Sequence, residues 1–340
     1  MIFYFIYLLL IILISLFLKK KGLFLNYSGD NHQSFSNEGN IPLSGGIFLI
    51  FPIIFFYSND LILVFFFSLI FSIGFFSDRK ILTSPKRRFL FQVVSILMFV
   101  IIIDLRILSS KIDLFDMMLS NQFFNYLFST FCLLILINGS NFIDGLNGLL
   151  ISYSLIVIYI LGNLGLISNQ IISDQNLNLI LLLMLLVLFL NFFNILMIGD
   201  SGAYLLGLLL GFLIITSHKN NLDVSPYFYI SIIWYPCFEN LFSILRKLNK
   251  KFSPLNPDNK HLHQLVFFFI KKKLELPVIF SNNLSSTILI LFNFLIIYFC
   301  SLNPGSTIYQ VKLIIFSVLF YTSVYLILNK FYELNFKFKK

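Results

Sequence analysis

The segment Asn138-Gly-Ser-Asn141-Phe-Ile-Asp144-Gly-Leu-Asn147-Gly148 places a polar side chain at every third position. That spacing keeps neighbours on one helical face, although along the whole stripe an α-helix carries it about half-way round. Gly139, Gly145 and Gly148 each weaken a regular helix, so the pattern predicts a broken helix or a tight loop lining a cavity. An acid among asparagines at a membrane boundary is a candidate for function; an interhelical polar network would draw on the same residues. The second chemical feature is Met197-Ile-Gly199-Asp200-Ser201-Gly202. Asp200 stands before the N-terminus of an apolar helix, where free N–H groups and the helix dipole favour bound phosphate. A carboxylate beside phosphate is a natural seat for Mg²⁺, which takes few protein oxygens and completes its shell with phosphate and water. A plain helix cap is the alternative use of Asp200.

Two further clusters carry charge. Ser77-Asp78-Arg79 is followed by Ser84-Pro85-Lys86-Arg87-Arg88 and then Gln92. In isolation, one carboxylate among basic residues also describes side chains snorkelling to a lipid surface. Further on stands Pro254-Leu-Asn-Pro257-Asp258-Asn-Lys260-His261-Leu-His263. Residues i and i+2 share a side when the chain is extended, which would turn both imidazoles toward one site. No third ligand lies at a suitable spacing, which argues against zinc. His218 is expected as a solvated loop residue. Cys132, Cys237 and Cys300 lie in apolar runs without a CxxC pair and are expected as small buried hydrophobes.

The elements that must position these groups are membrane helices. Of 340 residues, 58% are hydrophobic and 11% charged, where a soluble domain carries about 25% charge. Soluble globular, coiled-coil and disordered chains are excluded by that balance. A window of roughly 20 apolar residues finds about eleven spans: 2–18, 43–57, 60–76, 89–103, 122–137, 149–165, 177–196, 202–217, 227–247, 285–302 and 307–329. The apolar start has no basic residue ahead of it and Lys19-Lys20-Lys21 behind it, the order of a retained helix rather than a secretory signal. With that helix running outward to inward, twenty of the 24 Lys and Arg residues fall on the cytoplasmic side, leaving Arg106, Lys111, Lys219 and Lys312. This positive-inside bias predicts an all-α integral membrane protein, N-terminus outside and C-terminus cytoplasmic. It forms a single polytopic domain over 1–340, with a large cytoplasmic loop at 248–284. The polar motifs all share the cytoplasmic face. Segment 104–121 is the longest outer connector, expected to hold a short strand or interfacial helix. The net charge of +9 is spent on topology and phosphate contacts, and nucleic acid is excluded as a partner.

In order and in sidedness the motifs resemble the polyprenyl-phosphate N-acetylhexosamine-1-phosphate transferases. Pro42-Leu-Ser-Gly45-Gly46 resembles the early PxxGG element of that family, and Ser77-Asp78 with Ser84-Pro85-Lys86-x-Arg88 its DDxx…SPKxR loop. Asn138-x-x-Asn141-x-x-Asp144-Gly145-x-x-Gly148 and Gly199-Asp200-Ser201-Gly202 are similar to its central motifs. Pro257-Asp258-x-x-His261-x-His263 resembles its HxH segment, nearer the N-acetylglucosamine-type branch than the triple-His pentapeptide branch. The similarity runs from about residue 40 to 265. Four positions depart from the pattern. Ser77 replaces the first acid of the pair, Asn147 stands where many members carry Asp, Glu239 where many carry Asp after Pro236, and Ile195 where a Lys often precedes the Gly-Asp.

The resemblance implies transfer of a sugar-1-phosphate from a UDP-sugar to polyprenyl phosphate at a cytoplasmic (inner) membrane, with the active site on the cytoplasmic face and Mg²⁺, or alternatively Mn²⁺, as cofactor. It implies Asp78, Asp144 and Asp200 as catalytic acids, Asp200 and Asp144 holding the metal. Asn138, Asn141 and Asn147 would bind nucleotide, Asp78 with Lys86 and Arg88 would orient the acceptor phosphate, and His261 and His263 would donate hydrogen bonds to diphosphate or sugar. A membrane transporter and a noncatalytic lipid-binding relative are the competing classes. Transport sites lie near the bilayer midplane on discontinuous helices, whereas these acids gather at helix ends.

Overall fold

The computed structural model describes residues 2–25, 41–168, 171–251, 253 and 259–336. Apart from one isolated β-bridge between Leu25 and Pro42, their regular elements are α-helices. In chain order these are α1 (Ile2–Lys20), α2 (Gly45–Phe56), α3 (Leu61–Asp78), α4 (Pro85–Ile102), α5 (Asp113–Leu119), α6 (Gln122–Ile143) and α7 (Leu149–Asn163). There follow α8 (Asp174–Phe192), α9 (Gly199–Asn220), α10 (Pro226–Ile232), α11 (Trp234–Asn249), α12 (Leu262–Leu274), α13 (Val278–Ser301) and α14 (Thr307–Phe336).

Each of the eleven apolar windows falls on a helix, but not every one is a full span. Among the described residues six helices, α3, α6, α8, α9, α13 and α14, are long and apolar enough to cross a bilayer. A seventh span results if α10 and α11, bent by 76° at their junction, count as one. The helices α2 and α7, with 12 and 15 residues, reach only about 18 and 22 Å at 1.5 Å per residue, short of a hydrocarbon core of about 30 Å. The protein is all-helical and multi-pass.

At the centre stands α9. Every residue from Ser201 through Ile215 is buried, and α3, α6 and α2 pack around it. Glycines permit that approach. A methyl built on Gly74 would lie 2.4 Å from the Ser201 Cα, and one on Gly46 would lie 2.5 Å from the Gly202 nitrogen. The early Pro42–Gly46 element is bound directly to the turn before α9: the N–H groups of Gly45 and Gly46 donate to the carbonyls of Met197 and Ile198, and the Met197 N–H donates to Pro42. Gly74→Ala should therefore push α3 off the start of α9 and cost about 1–3 kcal/mol. Gly305→Ala, whose methyl meets nothing nearer than the Asp223 carbonyl at 3.5 Å, should leave the thermal midpoint of the detergent-solubilised protein unchanged. Equal midpoints for the two variants would remove this account of α3–α9 packing.

Three local expectations are revised, and one is decided between its two alternatives. The helix α6 runs unbroken through Asn138, Gly139 and Asn141, and the chain breaks only over residues 144–148. Gly139 serves close packing instead, since a methyl there would meet the Pro236 carbonyl oxygen at 2.2 Å. His218 is no solvated loop residue: it lies in the last turn of α9, 5% exposed, edge-on to Tyr229. The outer connector 104–121 holds the short helix α5 and no strand. Much of 248–284 is helical, through α12 and the start of α13, while residues 254–258, with Pro254, Pro257 and Asp258, fall outside the described residues.

Candidate active site

The three acids of the motif loops converge where α3 ends, α6 breaks and α9 begins. Asp78, the last residue of α3, spans two backbone donors: its Oδ1 accepts the Asp200 N–H at 2.8 Å and its Oδ2 the Ser201 N–H at 3.0 Å. The N-terminus of α9 thus already holds a carboxyl group, supplied by the protein. This replaces the expectation that those N–H groups wait for phosphate. Gly199 makes the contact possible. It lies at φ +72°, and a methyl there would stand 2.8 Å from the Asp78 carboxylate.

Asp200, one residue into α9, turns its carboxylate the other way. Its Oδ2 accepts from Arg88 at 2.8 Å and from the Ser77 hydroxyl at 2.5 Å, and Arg88 also donates to Ser77 at 2.6 Å. Ser77 therefore takes an active place in the cluster, bridging the guanidinium and the acid. Asp144 caps the end of α6. Burial first, then the neighbouring carboxylates of Asp200 and Asp78, hold its carboxyl well above the usual carboxylate range, with only the Gly199 backbone acting the other way. Lys86 is exposed in the first turn of α4, and Arg88, two residues on, is the one of the pair that reaches the acids.

The asparagines divide. Asn138 donates to Gln92 of α4 at 3.2 Å, so it faces the α4 side of the cluster, and Asn141 retains partial exposure. Asn147 goes elsewhere. It is buried and donates to Asn194 and Asn283 at 2.8 and 2.9 Å, while its backbone N–H meets Asn282. Asn191 accepts the Gly148 N–H at 2.5 Å and donates to the Leu196 carbonyl. Asn147 thus ties the 144–148 break to the turn after α8 and to α13.

The two histidines do face one side, though not through an extended chain. His261 is the N-cap of α12 in extended backbone, and His263 is already helical. Their rings stack 5.7 Å apart at 13°, with Phe142 4.9 Å from His261. His263 is 1% exposed, neither ring nitrogen has a hydrogen-bond partner among the described residues, and its Nε2 presses on Gly145. Burial, and next the adjacent imidazole, push its pKa down to about 3, so it is a neutral imidazole beside the Asp144 break. His261 Nδ1 lies 2.9 Å from Glu239.

Chemically, three interacting carboxylates face one arginine. Among the described residues no group of three or more His, Cys, Asp or Glu forms a ready metal cage. The donor set nevertheless fits Mg²⁺, which binds through one or two carboxylates plus substrate phosphates. An enclosed carboxyl beside two others, as at Asp144, is an electrostatic arrangement that a divalent cation relieves. Motif spacing pointed to these acids. It did not point to Ser77 as a bridging group, and it marked Glu239 only as a departure after Pro236; Asn191, Asn194, Asn282 and Asn283 are signalled only by being polar inside apolar runs.

Residues 61–218, which carry α3 through α9, match the family profile described as Glycosyl transferase family 4. A protein from Yersinia pestis named undecaprenyl-phosphate alpha-N-acetylglucosaminyl 1-phosphate transferase is 27% identical over 252 residues, 68% of this chain and 66% of that one. A protein of the same name from Thermotoga maritima is 30% identical over 154 residues, 45% of this chain and 47% of its own length. The chain thus spans just under two thirds of the first relative and about half of the second. The acid cluster, the amide-bearing break and the α9 start all lie inside the matched stretch, and over residues 61–218 the chain is similar to glycosyl transferase family 4.

Proposed function

We propose that the protein transfers a sugar-1-phosphate, of N-acetylhexosamine type, from a UDP-sugar to undecaprenyl or a similar polyprenyl phosphate. It releases UMP and forms a lipid-diphosphate-sugar for cell-surface glycan synthesis. The observation that supports this most directly is the convergence of Asp78, Asp144, Asp200 and Arg88 at one end of the helix bundle. A soluble nucleotide sugar and a lipid phosphate can meet there at a helix-end surface. In keeping with the basic bias of the loops, that end is the cytoplasmic face of a multi-pass protein in the cytoplasmic membrane.

In the reaction a lipid phosphate oxygen attacks the β-phosphorus of the UDP-sugar, and the bond from that phosphorus to the bridging oxygen breaks, leaving with UMP. A phosphate monoester has a second pKa near 6, so about nine-tenths of the nucleophile is dianionic at pH 7 without help from a base. The chain's task is then positioning and charge neutralisation, as in other phosphoryl transfers. Asp200 and Asp144 would hold Mg²⁺ (or Mn²⁺), which supplies charge neutralisation on the diphosphate. Arg88, released from part of its pairing with Asp200, contacts phosphate, and Lys86 assists from its exposed position. Asn138 and Asn141 line the nucleotide side. His263 and His261 offer ring N–H groups beside the Asp144 break. Asp78 acts through Asp200, by fixing the backbone that carries it.

The test is purified protein with polyprenyl phosphate, Mg²⁺ and a panel of UDP-sugars. UMP release dependent on both the lipid and one sugar is expected. No UMP with any sugar, under conditions where a known relative turns over, overturns the proposal and leaves a noncatalytic lipid-binding role.

A further inference from the structure

Glu239 sits on α11 with no exposed surface, and the groups around its carboxylate are donors. The Tyr321 hydroxyl of α14 donates to Oε2 at 2.6 Å, and the Leu262 N–H approaches the same oxygen at 3.4 Å. His261 Nδ1 lies 2.9 Å from Oε1. A buried carboxylate is tolerated only with such partners, and an ionised one only accepts, so Nδ1 is the nitrogen of His261 that carries the proton toward it. The ring is also fixed in plane. Phe142, two residues before Asp144, and His263, which touches Gly145, both pack against it. The histidine that Glu239 orients is therefore packed against Phe142 directly and, through His263, against Gly145, on either side of Asp144. Glu239, Tyr321 and His261 all lie outside the matched stretch 61–218.

We propose that Glu239 is a positioning residue of this site: held by Tyr321, it fixes the ring orientation and the Nδ1–H tautomer of His261 beside Asp144. The long C-terminal helix α14 is thereby tied to the chemistry of the motif loops. A carboxylate behind an imidazole acts in this way wherever ring geometry matters, and loss of such an outer partner costs about 10- to 100-fold in activity. The catalytic part of this inference rests on the sugar-1-phosphate transfer proposed above; the tautomer part does not.

The experiment compares wild type with Glu239→Gln, which keeps the side-chain shape and removes the acceptor-only charge. With ¹⁵N-labelled histidine, and the His261 signals identified by their loss in His261→Asn, wild type should show Nδ1 protonated and Glu239→Gln a mixture of tautomers. Turnover should fall about 10- to 100-fold with KM for the UDP-sugar within about threefold, the signature of an interaction made in the transition state. If Glu239→Gln does not accumulate folded, Tyr321→Phe, which deletes only the anchoring hydroxyl, carries the same two readouts. A His261 spectrum identical to wild type overturns the proposal, as does unchanged kcat. If wild type itself releases no UMP, the transfer reading fails, and the tautomer contrast alone decides whether Glu239 orients His261.

Discussion

Asp200→Asn should lower lipid-dependent UMP release by about a thousandfold while the protein stays folded. Among the described residues its carboxylate is the only acid in direct contact with Arg88, at 2.8 Å, and the only one that Ser77 reaches. Both members of the ion pair keep 26% of their side-chain surface. Solvent screening at that exposure limits the stability of the pair to about 1 kcal/mol or less. The asparagine retains the side-chain volume and an oxygen for the Ser77 hydroxyl, so packing at the start of α9 changes little. What disappears is one unit of negative charge opposite the transferring diphosphate. It would hold the divalent cation and keep the Arg88 guanidinium in place. Preorganised electrostatic contacts of this kind carry about 10²–10³ in rate when one is removed. The measurement is UMP release at saturating substrates, with thermal midpoints of wild type and variant compared in parallel. Activity within tenfold of wild type would remove Asp200 from the charge-bearing role.

The parts of this site that were legible in the sequence are those where chemistry and backbone punctuation coincide. Asp200 is bracketed by Gly199 and Gly202, and Asp144 is followed by Gly145 and Gly148; both pairs mark helix ends, and both acids lie at helix ends. Where a glycine serves packing the same rule misleads. Gly139 predicted a break, yet α6 continues because the absent side chain makes room for the Pro236 carbonyl. His218 misled for a related reason: apolar periodicity fades near it, while α9 extends another turn and buries it. Partners far apart in sequence were not legible at all. Nothing near Asn147 announces Asn191, Asn194 or the adjacent pair Asn282-Asn283, and nothing near His261 announces Tyr321. The eleven windows located helices well because apolar runs in this chain are long. They counted spans less well, since α2 and α7 satisfy composition without satisfying length.

The pair of variants Asp78→Ala and Asp78→Asn should separate two uses of that carboxylate. Both of its oxygens are engaged by backbone N–H groups at the start of α9, which makes it a cap supplied by another helix. Alanine leaves two donors at a helix N-terminus without acceptors, for a cost of about 2 kcal/mol. Asparagine keeps one acceptor and turns an NH₂ toward the other donor, so it should lose about half as much. Turnover should follow the same order, falling about a hundredfold in Asp78→Ala and less in Asp78→Asn, because the backbone of Asp200 is set by this contact and small misplacements of a catalytic group cost that much. A proton acceptor for the lipid phosphate would behave in the opposite way. An amide is no base, so Asp78→Asn would then be as inactive as Asp78→Ala near pH 6, and its defect would shrink as pH rises past the phosphate's second pKa near 6 and the nucleophile ionises unaided. A cap gives a defect that scales with the fall in thermal midpoint. A defect that vanishes at high pH, with an unchanged midpoint, would return Asp78 to proton transfer and leave the start of α9 to be held by other contacts.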